Sequence, residues 1–306
     1  MKKGIILAFA ASIISGIAIF YSKISVAKLD PLVLTTSRNL YAGFLFMILF
    51  LTKNKWKEFK NLKKNQIVKL ILAGLIGGGL PFYLFFTGLA YTQAITANAI
   101  HKSLFIWVTI LAVFFLKEKL NFFYLVSFTL VFLANFSFAN LKFTFSAGEL
   151  MILAATMLWS IENILVKKVL KNVSSELVGL FRMGIGGSLL LITTILTGKG
   201  QLLVNIFNLS SSAEATAGRQ LTVILIGGTI LFFYVFTWYK ALKYAPASLV
   251  TLILSFSVVV GSLLNGSFAG VKVLPRDLNT SILLGIALLI LLTPIFIKKF
   301  RHLYLK

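Results

Sequence analysis

The chain is dominated by apolar runs of about 18 to 25 residues joined by short polar connections. A helix needs about 20 residues to cross roughly 30 Å of hydrocarbon, and in lipid only helices and closed barrels satisfy every backbone amide and carbonyl. The runs lack the sustained alternation of barrel strands. They predict ten transmembrane helices over 4–27, 32–52, 67–91, 94–116, 121–139, 146–169, 174–198, 219–242, 247–269 and 279–298. With 58% hydrophobic residues, 12% charged and a mean hydropathy of +0.95, the chain has too little polar surface to cover itself in water. The expected fold is therefore all-α and embedded in the lipid bilayer.

Thirty Lys and Arg against eight Asp and Glu would suggest a nucleic-acid partner in a soluble protein. Their distribution gives another meaning. Alternate connections, starting with Lys2 and Lys3 and including the cluster from Lys53 to Lys69, hold 20 of them, whereas the other connections hold 7. The positive-inside rule then predicts a multi-pass protein of the cell membrane, with both termini cytoplasmic and no nucleic-acid partner. The Met-Lys-Lys start also resembles a signal peptide, but its apolar run is long and has a second copy downstream, so a retained first helix is expected. With no cysteine, disulfides and thiolate metal sites are excluded, and no metal or cofactor is expected.

The second copy appears when the chain is slid by 144 positions. Gly4 then falls on Gly148, Lys23 on Lys167, Arg38 on Arg182 and Gly43 on Gly187. Later matches run at an offset of 153: Gly74 with Gly227, Leu89 with Leu242, Tyr91 with Tyr244 and Ala94 with Ala247. The chain thus divides into repeats over 1–142 and 146–306. Each holds five helices, an odd number, so the second enters the membrane from the opposite side. Inverted halves that enclose a midplane site and expose it alternately are a transporter architecture.

The Lys23 and Arg38 pair, the Trp159 to Lys167 run followed by Arg182, Leu89-Ala90-Tyr91 before a tight turn, and Leu116-Lys117-Glu118-Lys119-Leu120 together resemble the drug/metabolite transporter superfamily, in particular its ten-helix EamA-type members. The resemblance implies a secondary transporter of small metabolites, often an exporter, with a cavity between two four-helix halves and the fifth and tenth helices at the periphery. The sequence departs from that pattern twice. It has no proline in the middle of the fourth and ninth helices, near Phe105 and Val258, and Gly270-Val271-Lys272 stands where an acidic mate of Glu118 would be.

Ionisable groups inside hydrocarbon are costly and are functional candidates by default. Here they are Arg38, His101, Lys102, Glu162 and Arg182. Lys102 suits a substrate carboxylate or phosphate, with pairing to Glu162 or snorkelling as the structural alternative. His101 could carry a proton or simply pack. Glu162, the deepest carboxylate, is the leading candidate for proton coupling; its alternatives are an inner vestibule or a bond to Arg182. Arg38 and Arg182, as symmetry mates, are expected at gates or helix-terminus contacts, with substrate binding as the alternative. Asn98, Asn39 and Asn163 could bind substrate or cement helices. Trp159, Tyr83 and Trp107 are candidate cavity walls, whereas Trp238 and Tyr239 are expected in the interfacial belt. Gly77-Gly78-Gly79-Leu80-Pro81 predicts a kink whose freed carbonyls face substrate, with close helix packing as the alternative.

The chain contains no HExxH, G-x-S-x-G or phosphate-binding glycine loop, and only two histidines, which argues against a membrane enzyme. The expected function is a secondary transporter, in the exporter direction, for a small polar or amphiphilic metabolite such as an amino acid, working by alternating access with protons as the coupling ion. A lipid or head-group flippase, or a channel, is the alternative. Its partners are a small-molecule substrate and the bilayer, and it is expected as a monomer or homodimer.

Overall fold

The computed structural model describes residues 1–26, 29–92, 94–136, 144–207, 214–268 and 275–304. It is helical, with no strand among the described residues. Ten helices match the ten predicted spans: α1 Lys2–Val26, α2 Pro31–Thr52, α3 Lys64–Leu89, α4 Ala94–Lys102 with Leu104–Leu116, α5 Phe122–Phe136, α6 Ala147–Val169, α7 Ser175–Leu196, α8 Glu214–Tyr244, α9 Ala247–Leu254 with Ser257–Phe268, and α10 Pro275–Tyr304. Eight are long and apolar enough to cross a membrane, and α5 and α10 contribute shorter apolar segments. Two short helices, Trp56–Lys60 and Gly200–Phe207, lie in the connections after α2 and α7.

The packing partners are reciprocal. α1 lies against α8 and α9, and its sequence mate α6 lies against α3 and α4; α2 pairs with α7 and α5 with α10. An approximate two-fold axis exchanging the halves accounts for every one of these pairings. The same exchange operates at the level of single residues. A Cβ on Gly4 would meet Tyr244 and Ala245 at the end of α8, and one on Gly148 would meet Tyr91 and Thr92 just past the end of α3.

The α2–α7 and α3–α7 seams rest on small residues. A Cβ on Gly78 would lie 2.2 Å from the Arg182 carbonyl oxygen, and one on Gly186 2.3 Å from the Gly78 carbonyl carbon. Backbone meets backbone there, so neither helix can yield by turning a side chain. The α2–α7 pair is also tied at both ends. Asp30 accepts from the Leu32 and Val33 amides to cap α2 and pairs with Lys199 beyond α7 at 2.7 Å. At the other end Glu58 accepts from the Ser174 amide at 2.6 Å, just before α7. Burial alone would raise both carboxyls. For Asp30 the Lys199 ammonium and the two amides outweigh it, and for Glu58 the Ser174 amide and Lys55 do, so both are held below their ordinary values.

The missing prolines do not leave α4 and α9 straight. α4 breaks at Ser103 and α9 at Ser255–Phe256, equivalent positions at the 153 offset. Ser103 Oγ donates to the Ile100 carbonyl at 2.6 Å, and the Thr251 hydroxyl donates to the Ala247 and Ser248 carbonyls at 3.0 Å. Hydroxyls bonding back into the helix bend it as proline would, without deleting an amide. The Lys23 side chain and residues 269–274, with the Gly270-Val271-Lys272 departure, lie outside the described residues.

Gly78→Ala should lower stability by about 2 kcal/mol or prevent accumulation, whereas Gly184→Ala, which meets nothing within 4 Å, should be neutral; thermal unfolding in detergent reads both. Asp30→Ala should cost about 1 kcal/mol at neutral pH, mostly through the lost cap. Because Asp30 titrates lower when folded, its contribution is complete above the ordinary carboxylate range and lost as the pH falls through it. The difference between the variant and the wild type should therefore begin to shrink as the pH falls through 3.8 and close only below the lower folded-state value.

Candidate functional site

Pro81 carries no amide hydrogen for the carbonyl four residues earlier, that of Gly77. In this stretch, Gly74–Gly79, α3 widens into a π-helical turn. The Gly77 oxygen instead accepts the Trp159 indole from α6 at 3.0 Å and Arg182 Nη2 from α7 at 2.9 Å. A Cβ on Gly77 would sit 2.5 Å from Glu162 Cγ, so only glycine lets these groups close in. The kink predicted from Gly77 to Pro81 is therefore present, but its carbonyl is taken by the protein itself rather than offered to substrate.

Around this carbonyl the halves enclose a cavity of about 490 Å³. Arg38, Asn98, His101, Lys102, Trp159, Glu162 and Arg182 all line it; Tyr83 is not among its lining residues. Trp107, also expected as a wall, turns its indole to Ser103 Oγ. Trp238 and Tyr239, expected in an interfacial belt, are instead buried in the cavity wall. The expectation failed because both side chains have polar partners inside: Trp238 Nε1 donates to Asn163 Oδ1 at 3.1 Å, and the Tyr239 hydroxyl donates to Glu162 Oε1. A polar tip that finds a partner inside no longer needs the interface.

Most lining positions are symmetry mates: Ser15 and Trp159, Ala18 and Glu162, Arg38 and Arg182 at 144, and Phe85 and Trp238, Phe86 and Tyr239, Asn98 and Thr251, Lys102 and Ser255 at 153. The backbone frame is thus duplicated while the chemistry is not. By contact, Gly77 and Gly78 face Arg182 as Gly227 and Gly228 face Arg38. That pairing is three residues out of step with the sequence match of Gly74 to Gly227.

Glu162 is buried, and its ionic partner is Arg182, whose Nε lies 3.6 Å from Oε1. That separation is too long for a hydrogen bond. Arg182 Nε and Nη1 are accordingly buried without a hydrogen-bond partner, as are Asn39 Oδ1 and Asn135 Oδ1 on the same wall. Arg38 donates to Ser22 Oγ at 3.0 Å. His101 sits edge-on to Phe85 and Trp159, each ring centre 5.1 Å away, with Nδ1 lacking a partner. Lys102 is half-buried beside it.

The cavity reaches unequally toward the two ends of the bundle. Ser22 and Thr35 line it near the end opposite the termini, while their mates Val166 and Gly179 are buried, Gly179 beneath the Phe46 ring. The terminus-bearing end is further held at the α8–α9 turn. Lys167 donates to the Leu242 and Ala245 carbonyls, the latter at 2.6 Å, and Glu118 accepts from the Ala247 and Ser248 amides at 2.7 and 3.1 Å. Sequence reasoning had assigned no role to this bracket of one cation and one anion on a single turn.

Ten membrane-spanning helices in two inverted halves around a largely apolar cavity that holds a few buried charges define a membrane transporter. The chain belongs to the EamA-like transporter family, whose profile matches residues 2–138 and 146–293, within the drug/metabolite transporter superfamily. It is 26% identical over 275 residues to the Uncharacterized transporter YoaV of Bacillus subtilis, covering 88% of this chain and 87% of that protein. An Uncharacterized transporter of Methanothermobacter thermautotrophicus is 24% identical over 213 residues, 64% of this chain and 62% of that one. A solved crystal structure superimposes with a TM-score of 0.75 at 14% identity, covering 95% of this chain and 97% of the other, and shares the fold.

A single cysteine at Asn98 should react with a membrane-impermeant maleimide faster than one at its mate Thr251. Equal rates would mean that the cavity opens equally at both ends.

Proposed function

We propose that the protein is a secondary carrier that moves a small polar or amphiphilic metabolite out of the cell by alternating access, binding it in the central cavity, with Glu162 as the proton-coupling group. The observation that supports this best is the mate-for-mate lining of one cavity by both halves. Rocking one half against the other exchanges the wide end for the narrow one without rebuilding the walls. In this reading Lys102, His101, Asn98 and Trp159 meet the substrate, and Arg38 and Arg182 stand at opposite ends. The α8–α9 turn, held by Lys167 and Glu118, is the closed gate. The excess of Lys and Arg in the connections at that end supports a cytoplasmic gate and cytoplasmic termini, which makes this arrangement outward-open in this reading.

Counterflow in proteoliposomes tests the proposal. Vesicles loaded with an accepted metabolite should take up labelled metabolite faster than empty ones, with the rate depending on pH in the wild type and not in Glu162→Gln. A flux without trans-stimulation would indicate a channel, and scrambling of labelled phospholipid a flippase.

A further inference from the structure

Arg182 is more than nine-tenths buried, yet it spends only one of its three guanidinium nitrogens on a hydrogen bond, Nη2 to the Gly77 carbonyl. Nε and Nη1 have no hydrogen-bond partner, and the residue lines the cavity. A buried guanidinium with unused donors is costly unless something fills them, because each orphaned donor keeps its full desolvation penalty. Glu162, 3.6 Å from Nε, neutralises the charge without closing a hydrogen bond, and its Oε1 is already held by the Tyr239 hydroxyl. The planar fork of arginine matches a carboxylate, phosphate or sulfonate edge.

We propose that Arg182 is the anion-binding group of the cavity and that Glu162 is its internal stand-in, so that an anionic substrate occupies the cavity together with a proton on Glu162. This rests on the carrier reading above and reassigns Arg182 from a gate to the substrate. When an anion takes Nη1 and the second hydrogen of Nη2, the edge of the fork that faces away from Glu162, the positive charge that stabilises the Glu162 carboxylate is neutralised, and two buried anions would share one cation. Protonating Glu162 removes that repulsion. The proton comes from solvent and rests on a Glu162 carboxyl oxygen, and no covalent bond other than O–H changes. Linkage then makes proton and anion binding mutually reinforcing, one proton for each anion. The charged or titratable groups facing this pair are Tyr234 and Tyr239 from α8, His101 and Lys102 from α4 and Arg38 from α2. A pair that moves together follows the sum of its two gradients. Export therefore runs when the outward gradient of the metabolite exceeds the inward proton gradient.

The test needs no knowledge of the natural substrate. Binding of benzenesulfonate, benzoate and formate to the full chain in detergent is measured by calorimetry between pH 6 and pH 9, a range set by the probes because all three stay anionic there. Neutral benzenesulfonamide is the control. At least one anion should bind while the amide does not, and its affinity should fall by up to about tenfold per pH unit above the titration of Glu162. Binding should take up a proton from a weakly buffered solution. Glu162→Gln should bind the anion at high pH with no such uptake, and Arg182→Gln should lose binding. Should Arg182→Gln fail to fold, Arg182→Lys, which keeps the charge but not the fork, should bind weakly while keeping the proton uptake. The proposal is overturned if none of the three anions binds at any pH, if binding survives Arg182→Gln, or if proton uptake persists in Glu162→Gln. The two readings fail separately. Anion-linked proton uptake without counterflow would remove the carrier and keep this site, whereas counterflow of a substrate indifferent to both residues would remove this site and keep the carrier.

Discussion

The carbonyl oxygen of Gly77 is the point on which the centre of the protein depends. Proline four residues on leaves it without a helical donor, and in a membrane no water compensates. Trp159 and Arg182 supply the missing hydrogen bonds from the opposite half. One backbone acceptor thereby ties α3 to α6 and α7, orients the indole against the His101 ring and fixes the guanidinium beside Glu162. The glycines around it follow from the same need, since any side chain there would occupy the space of Glu162 or the backbone of α7.

Duplication supplies the frame and divergence supplies the chemistry. Arg38 and Arg182 kept their identity, but Ala18 stands opposite Glu162, Ser15 opposite Trp159 and Ser255 opposite Lys102. Two arginines and a lysine therefore line one cavity with a single carboxylate among its lining residues. The positive charges outnumber the negative one, which is the electrostatic basis of the anion site proposed above. The frame stays symmetric enough for either end to become the open one. The charges are not duplicated with it.

The two ends of the bundle are held differently. Asp30 with Lys199, and Glu58 with the Ser174 amide, fasten the α2–α7 seam at its two extremities. Lys167 and Glu118 act on a turn rather than on a seam, and so secure one end only. Partly exposed ion pairs contribute little to stability. They can be made and broken at small cost, as the proposed rocking of the halves requires.

Length, apolar run and charge asymmetry were enough to predict ten helices, because in lipid the backbone leaves only one structure for a run of 20 apolar residues. The gapless matches from Gly4 with Gly148 to Gly43 with Gly187 revealed the inverted halves, and the scarcity of charge in the spans pointed to Arg38, His101, Lys102, Glu162 and Arg182. What the sequence could not decide is which of these meet. Arg182 rather than Lys102 stands beside Glu162, Trp238 and Tyr239 turn inward rather than to an interface, and Tyr83 is not among the residues that line the cavity. Those choices depend on helix rotation. A 100° step between neighbours on a helix decides whether a side chain faces lipid or cavity, and only the packed bundle sets that angle.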